Sequence, residues 1–102
     1  MSVAWTEPAL ADLAALRQWV ARDSEPLADR ILAKITGSLD QAIAFPRIGR
    51  VVAERGDESV RELLFRTFRI VYKSVPEGIV VLTVLHGGRT GERREPRRWE
   101  IY

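Results

Sequence analysis

The sequence predicts a single α+β domain in which an N-terminal strand and an antiparallel helical hairpin pack on a small antiparallel β-sheet. The chain has 102 residues, 46% of them hydrophobic, which suits one domain with one core. Apolar residues recur at helical spacing in the first half and follow strand patterns in the second half. Helices that precede a run of strands are typical of α+β architecture.

The first half predicts one strand and two helices. Residues 2–5 form a short strand candidate, and Thr6 is placed to cap a helix over residues 8–22. The apolar stripe of this helix consists of Ala9, Leu13, Leu16 and Val20. A break at residues 23–26 leads into a second helix that ends near Ala44. Its stripe consists of Ala28, Ile31, Leu32, Ile35, Leu39, Ala42 and Ile43. The short connection predicts that the two helices are antiparallel.

The second half predicts an antiparallel meander of three strands. Phe45 stands before a proline and therefore ends the second helix, and residues 47–58 are expected to form a polar connection. The strands cover residues 60–65, 68–74 and 79–86, with a tight turn at residues 76–78. The last strand is apolar on both faces, as is typical of a central strand covered on two sides. Residues 90–102 form a charged and loose C-terminal tail.

Composition excludes several classes of protein. The chain has no cysteine and one histidine, so neither a disulfide nor a thiolate metal site is possible, and we expect no metal and no cofactor. No apolar run approaches the roughly 20 residues of a spanning helix, and no secretory signal precedes the first strand. We therefore expect a cytoplasmic protein that does not contact membranes.

Charge is distributed unevenly along the chain. Residues 46–102 hold twelve basic and eight acidic side chains, whereas residues 1–45 hold four basic and six acidic ones. Fourteen of the sixteen basic residues are arginine, whose planar guanidinium suits phosphate and carboxylate groups. An arginine-rich proteome explains the arginine count equally well but not the asymmetry. We expect an arginine-bearing sheet face, including Arg61 and Arg69, that is left uncovered for a partner.

Five segments in chain order carry a resemblance to a known family. They are residues 5–13 (WTEPALADL), 45–50 (FPRIGR), 60–64 (VRELL), 68–72 (FRIVY) and 84–89 (VLHGGR). Together they resemble the RelE/ParE superfamily, the toxins of bacterial type II toxin–antitoxin systems, over most of the chain. The resemblance implies the RelE/ParE fold, growth inhibition, a link to plasmid stabilisation, and a cognate antitoxin partner. Operator DNA is then contacted only through the antitoxin.

The family contains two activities. RelE-like members cut mRNA in the ribosomal A site, and ParE-like members poison DNA gyrase without acting as nucleases. For a RelE-like site the resemblance implies Arg69 and Arg89 as catalytic residues. His86 is a further candidate, because the imidazole of histidine can transfer protons near neutral pH; its other interpretation is a hydrogen-bonded structural residue at the end of a strand. The lysine pair of RelE-like enzymes is absent, because the matching strand carries Arg61 and Glu62, and their late tyrosine is absent too. These departures favour the ParE-like branch. A binding module that has lost toxicity is a third hypothesis.

We expect the contacts with the antitoxin or the target to come from the predicted sheet, from the residue that follows its last strand by three positions, and from the tail. The residues are Arg61, Arg69, Lys73, Arg89, Trp99 and Tyr102. Arg61 and Arg69 have a second interpretation as ion-pair partners of Glu62 or Glu100. Trp19 packs at the edge of the hairpin or lies in an antitoxin groove.

Overall fold

The computed structural model describes residues 2–52, 56–65 and 68–86, with the side chain of His86 excepted. Seven elements follow one another along these residues. They are β1 (Ser2–Trp5), α1 (Glu7–Ala21), α2 (Glu25–Ala44), β2 (Arg50–Val51), β3 (Val60–Phe65), β4 (Phe68–Val75) and β5 (Gly78–His86). The predicted strand, helical hairpin and three-stranded meander are all present, which confirms the α+β class.

The sheet has five strands in the order β1-β5-β4-β3-β2. β3, β4 and β5 form the predicted antiparallel meander, while β1 joins β5 in parallel, so the sheet is mixed. The short edge strand β2 pairs with β3 inside the segment that was predicted to be a polar connection. That prediction was wrong there, because two exposed residues offer no apolar alternation from which a strand can be recognised.

Each helix begins directly after a capping residue, Thr6 for α1 and Ser24 for α2. The hydroxyl oxygen of Thr6 accepts a hydrogen bond from the backbone N–H of Ala9, and that of Ser24 accepts one from Leu27, both at 3.1 Å. These bonds satisfy N–H groups that have no partner within the helix. The apolar stripes of α1 and α2 then pack on one face of the sheet. The buried members of this core include Leu16, Ile31, Ile35, Leu39, Ile70, Tyr72, Ile79 and Val81.

The opposite face of the sheet carries a second buried cluster. It consists of Val52, Val60, Val71, Leu82 and Leu85, with Val80 packed against it. Val71 and Leu82 are buried at the centre of the sheet, so the prediction that this face is uncovered was wrong at its centre. The error arose because the connection after β2 carries Val52 into the cluster, where its apolar side chain is removed from water.

An irregularity in β5 connects the sheet to α1. Val71 pairs with Thr83 and Tyr72 pairs with Val81, which leaves Leu82 as an extra residue in the manner of a β-bulge. The carboxylate of Asp12 in α1 accepts the Thr83 hydroxyl at 2.6 Å and the Val84 backbone N–H at 3.0 Å. The pairing of β1 with β5 ends at Val81. Beyond that point the Asp12 side chain of α1, and not β1, accepts hydrogen bonds from β5.

Candidate functional site

A buried carboxylate with two arginines lies on the sheet face opposite the helices. Glu62 in β3 is 5% exposed. Its Oε2 accepts a hydrogen bond from Nε of Arg50 at 2.8 Å, and its Oε1 accepts from Nε of Arg69 at 2.7 Å and from Nη2 of Arg69 at 2.5 Å. Both carboxylate oxygens are therefore engaged, and the three side chains together carry one net positive charge. We call them the Glu62 cluster.

Strand register brings the cluster together. Arg50 stands directly opposite Glu62 in the β2–β3 pair. Arg69 stands opposite Leu64 in the β3–β4 pair. Arg69 is therefore a diagonal neighbour of Glu62 on the same face of the sheet. Phe68, Ile70 and Tyr72 point to the helical face, and the alternation of β4 turns Arg69 the other way, as the sequence predicts.

Because Glu62 is buried, its carboxylate needs the ion pairs with Arg50 and Arg69. A buried carboxylate without partners is strongly destabilising, whereas one that accepts several charge-assisted hydrogen bonds is tolerated. The proposed ion pair between Arg69 and Glu62 is present, so the guanidinium that matches the RelE-like catalytic arginine is occupied by a neighbouring carboxylate. As a result, its Nε and Nη2 are already directed at the Glu62 carboxylate.

Arg61 lies in a different environment from Arg69. It pairs with Tyr72 in the β3–β4 register and so lies on the helical face, not on the face of the Glu62 cluster. Its Nη1 donates to the carbonyl oxygen of Gly49 at 2.9 Å and to that of Arg47 at 3.4 Å, and its Nε donates to Glu58 at 3.0 Å. The expected face shared by Arg61 and Arg69 is therefore not formed, because adjacent residues of a strand separate the two sides.

Tyr72 anchors the segment that follows α2. Its hydroxyl donates to the carbonyl oxygen of Pro46 at 2.8 Å and accepts the backbone N–H of Gly49 at 3.0 Å. Burial raises the pKa of this phenol, while the hydrogen bond from Gly49 and the charge of Arg61 act in the opposite direction. Sequence reasoning missed this contact. A buried tyrosine needs a partner for its hydroxyl, but the partner could not be named before the fold was known.

A groove of about 280 Å³ runs between α1 and the end of β5. Its lining comprises Asp12, Ala15, Leu16, Trp19, Phe68, Val84 and Leu85. Trp19 is half exposed and also lines a second concavity with Gln18 and Arg22. Trp19 lies at the margin of this groove, and its contact with an antitoxin stays a prediction.

The remaining predicted site residues are only partly described. Lys73 is half-buried and stands opposite Val60 on the face of the Glu62 cluster. The backbone of His86 ends β5 opposite Phe68, and its side chain lies outside the described part of the chain, as do Arg89, Trp99 and Tyr102. Within residues 2–52, 56–65 and 68–86, no three potential metal ligands come together, and no helix is long and apolar enough to cross a membrane.

The N-terminal strand, the helical hairpin and the mixed sheet form a small α+β fold, with the Glu62 cluster on the sheet face opposite the helices. Over residues 3–91 the chain matches the family described as the ParE toxin of the type II toxin–antitoxin system parDE, and it belongs to that family. A solved structure described as the chromosomal ParDE toxin–antitoxin system from P. aeruginosa is 26% identical, with a TM-score of 0.64. That alignment covers 82% of this chain and 92% of the other. No curated protein matches the chain by sequence.

Proposed function

We propose that this protein inhibits growth by acting on DNA gyrase, that it does not cleave RNA, and that a cognate antitoxin neutralises it in the cytoplasm. Membership of the ParE toxin family supports the general role. The similar P. aeruginosa structure is described as a toxin–antitoxin system, which supports an antitoxin partner for this chain. Contact with operator DNA then takes place only through the antitoxin.

The observation that carries the choice of gyrase over mRNA is the pairing of Arg69 with Glu62. Cleavage of RNA needs cations that stabilise the charge developing on the phosphate, together with an acid and a base. Both oxygens of the Glu62 carboxylate are occupied by arginine donors. This carboxylate therefore competes with phosphate for Arg69 and is itself poorly placed to accept a proton from a substrate.

The other residues proposed to contact the antitoxin or the target lie in different environments. Lys73 lies on the face of the Glu62 cluster, where a carboxylate of a partner is a suitable ligand. Arg61 uses its Nε and Nη1 on backbone carbonyls, which makes it a structural residue first and a partner contact second. Arg89, Trp99 and Tyr102 stay predictions from the sequence.

A paired assay tests the proposal. Purified protein is added to a gyrase supercoiling reaction and, separately, to a translation extract in which primer extension maps breaks in the mRNA. We expect loss of supercoiling with intact mRNA. Cuts positioned at codons that vanish in Arg69→Ala, and persist in Arg30→Ala on the exposed side of α2, overturn the gyrase proposal and support a RelE-like nuclease.

The third hypothesis is tested in cells. Expression of the protein without an antitoxin is expected to stop growth, and co-expression of the antitoxin is expected to restore it. Unchanged growth, combined with no response in either assay, supports a partner-binding or co-repressor subunit without toxicity.

A further inference from the structure

Exposed apolar side chains are concentrated in the segment that joins α2 to β2. Phe45 is 66% exposed, Ile48 47% and Val51 38%, and these are three of the six exposed large apolar residues in the described part of the chain. We call residues 45–51 the 45–51 turn. Single exposed apolar residues are ordinary, but several on one short segment indicate an interaction surface.

The backbone of this turn is held firmly although its side chains are exposed. The carbonyl oxygen of Phe45 accepts the N–H of Ile48 at 2.9 Å, and that of Pro46 accepts the Tyr72 hydroxyl. Arg61 donates to the next carbonyl and to that of Gly49. Four carbonyl groups of the turn are therefore bonded within the protein, which fixes the shape that the side chains present to solvent.

A fixed shape of this kind lowers the entropic cost of binding. A mobile loop must be ordered when its partner binds, whereas a turn already held by hydrogen bonds needs little further ordering. Glycine at position 49 makes these hydrogen bonds possible, because a Cβ atom there would lie only 2.8 Å from the Tyr72 hydroxyl oxygen. The turn can therefore approach β4 closely while its apolar side chains remain available.

The charge of the turn is positive. Its seven residues include two arginines and no acidic residue. The side chain of Arg47 is 78% exposed and lies 3.7 Å from an equally exposed Glu58, while that of Arg50 is 64% exposed. An exposed ion pair of this length contributes little, so Arg47 can exchange it for a carboxylate of a partner.

We propose that the 45–51 turn is a docking site for the cognate antitoxin and binds a segment that carries both apolar side chains and carboxylates. This inference rests on the proposed function, since it requires an antitoxin. The apolar side chains indicate a stable complex, because permanent interfaces are more apolar than transient ones, and the similar P. aeruginosa structure is described as a toxin–antitoxin system. The arginines supply charge complementarity, which guides association and orients the segment.

The test is a titration of the full-length protein with the purified antitoxin encoded beside it. We expect Phe45→Ser/Ile48→Ser to weaken binding by roughly tenfold or more, as truncation of apolar anchors does. The matched control is Leu10→Ser, which removes a similarly exposed apolar side chain of α1 outside the turn and is expected to bind normally. Thermal unfolding confirms that each variant is folded.

Charge is tested separately. Arg47→Glu is expected to weaken binding and to reduce its dependence on salt, whereas Arg30→Glu, a charge reversal on exposed α2, is expected to change neither. Tyr72→Phe keeps every exposed side chain of the turn but removes its anchor. It is expected to weaken antitoxin binding as well, because the fixed shape of the turn is lost.

The outcomes separate this inference from the proposed function. If the unmodified protein binds no antitoxin, the proposed function fails and the inference fails with it. Equal affinity for the protein and for Phe45→Ser/Ile48→Ser overturns the inference alone. Loss of gyrase inhibition with normal antitoxin binding in that variant also overturns it, and assigns the turn to the target.

Discussion

The hydroxyl of Tyr72, in the middle of β4, donates a hydrogen bond of 2.8 Å to the carbonyl oxygen of Pro46, two residues after the end of α2. The same oxygen accepts the N–H of Gly49, so one buried phenol serves two backbone groups of the 45–51 turn. Tyr72 thus connects the core between helices and sheet to the segment that leads into the edge strand β2 and towards the Glu62 cluster.

Removal of this hydroxyl is expected to destabilise the protein. Tyr72→Phe leaves a carbonyl and an N–H without their partner, and each such loss in a buried place costs about 1–3 kcal/mol. The free energy of unfolding in urea is the measurement. Thr36→Ala also removes a hydroxyl, but one on the exposed side of α2, and it is expected to change that free energy little. Equal losses in the two variants would contradict the buried role of Tyr72.

Alkaline pH is expected to destabilise the protein through the same residue. Burial raises the pKa of the Tyr72 phenol above its usual value of 10.0, so the folded state holds this proton more tightly than the unfolded state. The resulting stability is complete below the unfolded pKa and is lost as pH rises through the folded pKa. The free energy of unfolding should therefore fall above pH 10.0, and fall less in Tyr72→Phe.

The second tyrosine provides the control for this pH dependence. The chain has two tyrosines, and Tyr102→Phe is expected to retain the alkaline loss of the unmodified protein. A spectroscopic titration of phenolate should show a late step that is absent only in Tyr72→Phe. Identical pH profiles for all three proteins would refute the prediction.

Two glycines are expected to respond to alanine in opposite directions. At Gly49 a Cβ would lie 2.7 Å from the carbonyl oxygen of Glu62, whereas at Gly37 in α2 nothing lies within 4 Å. Gly49→Ala should therefore destabilise by about 1–3 kcal/mol, as overpacking does, and Gly37→Ala should stabilise by up to ~1 kcal/mol through helix propensity. Thermal unfolding of both variants tests the difference in sign, and a stabilised Gly49→Ala would argue against the close approach.

Loss of the charge on Glu62 is expected to weaken the sheet. Glu62→Gln keeps the shape of the side chain but leaves Arg50 and Arg69 facing each other without a carboxylate, and charge-assisted hydrogen bonds contribute about 1.5–3 kcal/mol each. We expect a loss of unfolding free energy within that range in a urea titration. Glu58→Gln, at an exposed ion pair of 3.7 Å, is expected to change it by less than about 0.5 kcal/mol.

Much of the fold could be predicted because the signals are local. Thr6 and Ser24 are capping residues directly before apolar stripes of helical period, and both cap their helices in the structure. The alternation along β4 placed Arg69 opposite the core-facing Phe68, Ile70 and Tyr72. Periodicity and capping act within a few residues, so they can be recognised without knowledge of the tertiary structure.

The site could be predicted only in part. Arg69 and Glu62 were identified as possible partners, but the participation of Arg50 depends on β2, whose two residues show no strand pattern. The separation of Arg61 from Arg69 follows from alternation along two paired strands, yet the carbonyl groups that hold Arg61 come from a turn whose path the sequence does not reveal.

The amino-acid sequence alone determined the α+β class, the two helices, the antiparallel meander and the resemblance to the RelE/ParE superfamily. Tertiary structure alone decided that β1 pairs in parallel with β5, that Glu62 is buried between two arginines, and that Tyr72 holds the 45–51 turn. The first set depends on spacing between neighbours in the chain. The second depends on register and burial, because hydrogen bonds between residues as far apart as Pro46 and Tyr72 form only when strands and helices have packed.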